Sequence, residues 1–219
     1  MRQRAPAISR DRGHPDAART CGRLKASLIP AFAAIALGGC GSTTSAPLAA
    51  SVQGSPIGQS QLAHWVAVKR AEQAGSSNPE SSSSAQLTQN ALRFLITAQW
   101  LEKEAAAQGV SVAPSEVQDT YQRLLTGPSG QAFAASLKRR GLSSADELLV
   151  LRLGALAQKL RAKIASAHPG LSAAQIRGLL GAFIVAYRER WRQRTTCQPH
   201  YLIAECRNGP PLPSPGGAP

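Results

Sequence analysis

Gln86 to Gln108, QLTQNALRFLITAQWLEKEAAAQ, decides the fold. Leu87, Ala91, Phe94, Leu95, Ala98, Leu101 and Ala105 step by three and four residues, which predicts one long helix with a single apolar stripe, stopped by Gly109. Trp100 lies off that stripe. Such a helix needs other apolar faces to pack against, and the chain supplies them on both sides. Upstream, Leu62, Trp65, Val66 and Lys69 share one side of a helix that has Ser60 as N-cap and ends near Gln73. Ala74 to Ala85, with its run Ser81 to Ser84, has no periodicity and reads as an exposed loop. Ala50 to Ile57 is a short extended segment with a turn signal at Gly54-Ser55-Pro56.

Downstream the pattern repeats. Pro114 suits a first helical turn, and Val117, Tyr121 and Leu124 or Leu125 face inward before Gly127-Pro128 ends the helix. A short helix from Gly130 to Arg140 presents Phe133 and Leu137. Gly141 to Glu147 supplies a stop, a serine cap and acids for the next first turn, and Leu149, Leu153, Leu156, Leu160 and Ile164 form that helix's stripe. After the break at His168 to Ser172, Ile176, Leu180, Phe183, Ile184, Tyr187 and Trp191 stay in register on a last amphipathic helix. Its Arg188, Arg190, Arg192 and Arg194 sit where cations favour a helix C-terminus. Tyr201 to Ile203 is short enough for a brief strand. The expected fold is all-α, a bundle on which the long last helix packs back, with room for a short two-stranded element.

The ends carry different information. Ala26 to Leu37 is an apolar run too short to span a bilayer but suited to the core of a secretory signal, preceded by a basic segment and followed by Leu37-Gly38-Gly39-Cys40. That order resembles the lipobox of bacterial lipoproteins, which implies removal of residues 1–39, acylation of Cys40 and attachment to a membrane. Residues 40–50 then read as a flexible tether, residues 51–206 as the domain and residues 207–219, rich in Pro and Gly, as a disordered tail. Of the formal charge of +13, seven basic and two acidic residues precede Cys40, leaving +8 on the mature chain. For an exported protein this charge points away from nucleic acid, towards a solvated positive face or contact with anionic headgroups or wall polymers.

In an oxidising compartment Cys197 and Cys206 read first as a disulfide. With His200 they offer three candidate metal ligands and no fourth at zinc-like spacing. No G-x-S-x-G, H-E-x-x-H or Gly-rich phosphate loop occurs, so nothing in the sequence indicates a nucleophile, a catalytic metal or a cofactor. Glu102 and Glu104, two residues apart, point in different directions and read as solvated helix positions, not as an acid/base pair.

The order of parts resembles a known group. Val52 to Ile57, the helix with Trp65, the long helix ending Glu102 to Val110, the Val112 to Val117 restart, and Gly141 to Glu147 before a Leu-rich helix are together similar to the SurA/PrsA group of exported foldases. The likeness is to their helical N-terminal chaperone domain and the terminal helix that packs on it, over about Ala50 to Arg194. It implies an extracytoplasmic chaperone-like protein that binds unfolded or exported polypeptides. Full members insert a parvulin-type prolyl isomerase domain between the Leu-rich and terminal helices, whereas here Ile164 and Leu171 are separated by six residues. The expectation is therefore a chaperone module without enzymatic activity, although family likeness alone would assign an isomerase. An adaptor lipoprotein binding one folded envelope partner is the alternative of a different class. Trp65, Phe94, Trp100, Phe133 and Tyr187 are the aromatic candidates for polypeptide binding, with Trp100 foremost because it lies off its stripe.

Overall fold

Three of the helices open on the same local device. Ser83, Ser143 and Ser172 each accept a hydrogen bond from the backbone N–H three residues on, at Gln86, Asp146 and Gln175, whose side chains accept in return from the serine N–H. Two donors that would otherwise go unsatisfied are thereby paired at each start. In the computed structural model, which describes residues 47–75 and 82–213, the elements are β1 (Leu48–Val52), β2 (Ser55–Gly58), α1 (Gln59–Ala74), α2 (Ser84–Ala107), α3 (Pro114–Thr126), α4 (Gly130–Arg139), α5 (Ser144–Ser166), α6 (Ala173–Arg192), β3 (Thr195–Cys197) and a 3-10 turn at Pro199–Tyr201. All belong to one unit, Thr44–Pro219. The signal segment, Cys40 and the outer part of the tether lie outside the described residues.

The fold is mostly α, with a small sheet ordered β2-β1-β3, antiparallel throughout. The sheet has one strand more than the two-stranded element expected. Gln53 and Gly54 take φ of 50° and 81°, the left-handed pair a two-residue hairpin needs, so the turn falls one residue before the Gly54-Ser55-Pro56 signal. Strand β1 begins at Leu48 and buries Ala49 and Ala50, so residues 48–50, expected to be tether, belong to the sheet. The third strand is Thr195–Cys197 and not Tyr201 to Ile203, because β1 offers its free edge directly after α6 while Pro199 starts a 3-10 turn. Gly58, not Ser60, is the N-cap of α1, with no side-chain bond. Likewise Ser83 and Ser84 leave the expected loop to start α2.

Helix α2 lies at the centre. It buries Leu87, Ala91, Leu92, Leu95, Ile96, Trp100, Glu104 and Ala105, a wider band than one stripe. Its end is set at Gly109, φ 64°, where the Val110 N–H reaches the Ala105 carbonyl at 2.7 Å. Trp100 is fully buried, and its indole N–H donates to Thr195 Oγ1 at 2.7 Å, whose hydroxyl donates to the Trp191 carbonyl at 2.8 Å. The expectation that Trp100 faces outward is therefore corrected: residues 191–197, distant in sequence, cover the side of α2 that the stripe leaves open.

Beyond β3, Cys197 and Cys206 are joined by a disulfide with Cα atoms 5.7 Å apart. The loop is tied down further, since the Arg207 N–H donates to the Thr195 carbonyl and the Asn208 amide both donates to and accepts from the Cys197 backbone. Arg207 and Asn208 thus belong to the folded body and not to the tail. Closing so short a loop is worth about 2–3 kcal/mol in the chain-entropy view. Urea denaturation of the reduced protein against the oxidised protein is expected to show a loss of that size.

Candidate functional site

Helices α2, α5 and α6 enclose an apolar groove of about 290 Å³. Phe94, Ala98 and Leu101 of α2 form one wall, Leu153, Leu160 and Ile164 of α5 a second. The third is Leu180, Phe183, Ile184 and Tyr187 of α6, with the Phe183 and Tyr187 rings stacked at 6.0 Å. A larger depression of about 580 Å³ between α3 and α5, around Val117 and Leu149, has no aromatic lining and contains Gln118 and Arg152.

The groove exists because α6 is anchored mainly at one end. Trp191 is its sole buried residue, whereas Ile184 and Val185 are 45% and 47% exposed. An amphipathic helix that leaves its apolar face this open forgoes burial that a closed bundle would take. The anchor is polar. Glu104 of α2 is buried and not the solvated position expected, because it accepts from Arg190 Nη2 at 2.7 Å, Trp191 Nε1 at 2.8 Å and Gln108 Nε2 at 3.1 Å. Burial works to raise the Glu104 carboxyl, but these hydrogen bonds and the Arg190 charge outweigh it and hold the group below its ordinary value. Burial, with Glu104 adding to it, pushes the Tyr187 hydroxyl well up, so Tyr187 stays neutral in the groove wall.

The terminal arginines are largely consumed by this anchoring. Arg190 pairs with Glu104, Arg192 donates to the Ala204 carbonyl, and Arg194 lies 5.2 Å over the Trp191 ring. Of the four, Arg188 alone has no such contact among the described residues.

Of the five aromatic candidates, the structure brings Phe94 and Tyr187 to the groove. Trp65 is buried, with its ring 4.2 Å from that of Phe94, so it backs the groove wall from the core side. Trp100 backs Tyr187 in the same way, edge to face at 6.2 Å. Phe133 packs edge-on against Tyr121, away from the groove lining. Leu180, Phe183 and Ile184 were legible as a helix stripe, but a stripe looks the same whether a neighbour covers it or not. Among the described residues no group of three His, Cys, Asp or Glu side chains is placed to hold a metal ion. His64 pairs instead with Asp146 at 2.8 Å.

A family model described as SurA-like N-terminal domain matches residues 24–136, just over half of the chain, from before β1 into α4 and including the α2 wall of the groove. No curated protein and no solved structure matches the chain. The match and the mostly helical architecture agree with the likeness drawn from the motifs, and the chain belongs to the family of SurA-like N-terminal domains.

Proposed function

We propose that this protein is an extracytoplasmic chaperone-like lipoprotein that holds unfolded or exported polypeptides in the groove between α2, α5 and α6, attached to the membrane through an acylated Cys40. The observation that carries the reading is the open apolar face of α6, with Leu180, Phe183 and Ile184 turned to a groove instead of a closed core. Apolar burial is non-directional, so such a groove accepts segments of varied sequence, as a holding chaperone must. Membership of a chaperone-type family supports it further. The direct link between α5 and α6, residues 167–172, supports the absence of an inserted isomerase lobe. Mass measurement of the mature N-terminus tests the anchor: a diacylated Cys40 is expected, and an unmodified start elsewhere contradicts it.

Suppression of aggregation of several unrelated unfolded clients tests the activity. Ile184→Asp places a charge in the groove at a half-exposed position, so folding stability should change by less than about 1 kcal/mol. Client holding should fall several-fold in light-scattering assays. Capture of a single folded partner without such suppression contradicts the reading, as does proline-peptide isomerisation above background.

A further inference from the structure

The groove is electrically one-sided. Its α2 wall, Phe94 to Leu101, carries no charged residue, and from Leu153 to Arg188, the span that supplies the other two walls, there are five cations and no Asp or Glu. Two of the five are occupied, Lys159 by Glu116 and Lys163 by the Gln108 carbonyl. Arg161, Arg177 and Arg188 have no hydrogen bond or ion pair among the described residues. Arg161 lines the groove itself. Arg177 precedes Leu180 by three residues and Arg188 follows Ile184 by four, so each stands one helical turn from a lining residue and on the same flank of α6. The acids that flank these walls in sequence are engaged elsewhere: Glu102 pairs with Arg152, Glu189 with Arg192, and Glu104 is turned into its clamp with Arg190 and Trp191.

Resting on the holding function proposed above, we infer that the groove selects one class of client segment: a short apolar or aromatic stretch flanked by acidic residues. The apolar side chains fill the space between Phe94, Leu160 and Phe183, and the flanking carboxylates meet the three unengaged guanidiniums. Each guanidinium is a planar fork suited to a carboxylate. At the groove rim each pair adds modestly, and three acting together are expected to give a preference of about tenfold.

The test is fluorescence anisotropy of the full chain with three labelled peptides that share one Leu/Phe core and differ in Glu, Ser or Lys flanks. The Glu-flanked peptide is expected to bind about tenfold more tightly than the Ser-flanked one, the Lys-flanked one more weakly than both, and the spread to collapse in 0.5 M salt. In the R177E/R188E double variant, whose two positions flank the groove without lining it, the order of the Glu- and Lys-flanked peptides should reverse. Equal binding of all three peptides, or a preference for Lys flanks, overturns the inference and leaves the holding function standing. Binding of none overturns the holding function itself. A dimer that excludes every peptide would show the groove to be filled by a second copy of this chain, and would overturn both.

Discussion

Trp100→Ala is expected to destabilise the fold by about 4 kcal/mol, in the range measured for emptying a site filled by a large aromatic. The side chain is fully buried, and it joins two layers: the core beneath the stripe and the segment from Trp191 to Thr195. Truncation leaves a cavity between them and strips the Thr195 hydroxyl of its donor, although that hydroxyl keeps its bond to the Trp191 carbonyl. Trp100→Phe separates the two contributions. It retains most of the volume and loses the indole N–H, so a cost of about 1–2 kcal/mol is expected. Urea denaturation followed by circular dichroism reads both, and a loss below about 1 kcal/mol for the alanine variant would contradict the two-layer packing of α2.

Glu104→Ala is expected to cost about 2–3 kcal/mol and to loosen α6 selectively. The Trp191 indole N–H is left buried without its acceptor, which is the larger share of the cost, while Arg190, with a side chain 41% exposed, can return to water. Hydrogen exchange should quicken across α6 more than across α2 or α5. The same carboxylate gives the protein an acid dependence with a defined sign. Its folded-state value lies below the ordinary 4.5, so its contribution is present in full above about pH 4.5 and is lost as the pH falls through the lowered value. Glu72 and Asp146 are shifted in the same direction, held down against burial by Lys69 and Arg140 and by Ser143 and His64. Thermal melts between pH 6 and pH 3 should therefore show a steep loss of stability in the wild type. Glu104→Gln, which has no such charge to lose, should show a shallower slope. An unchanged slope would mean that the clamp contributes nothing in solution.

Much of the fold was readable from the chain because its punctuation is local. Ser143 with Asp146 three residues on, Pro114 at a first turn and Gly109 at a stop each act through bonds within a single turn, so neighbouring residues contain all the information. What escaped is what distant residues decide. Strand β1 pairs with Thr195–Cys197, and nothing near Leu48 announces that partner, so the strand's first residues, Leu48 to Ala50, passed for a tether. Trp100 looked external for the same reason: the stripe of α2 shows its own period but not that the tail of α6 would cover a second face. The groove is the converse case, since Leu180, Phe183 and Ile184 have a core-like spacing and only the placement of α6, fastened at Glu104 and open along Ile184 and Val185, leaves them available.

The occupant of that groove can be located directly by placing a photo-crosslinking amino acid at Ile184 and, as a control, at Leu124, an exposed apolar position on α3 that does not line it. With a denatured client present, adducts are expected at position 184 and few at 124. Equal yields at both positions, or none at 184, would contradict the assignment of the α2–α5–α6 groove as the site where polypeptides are held.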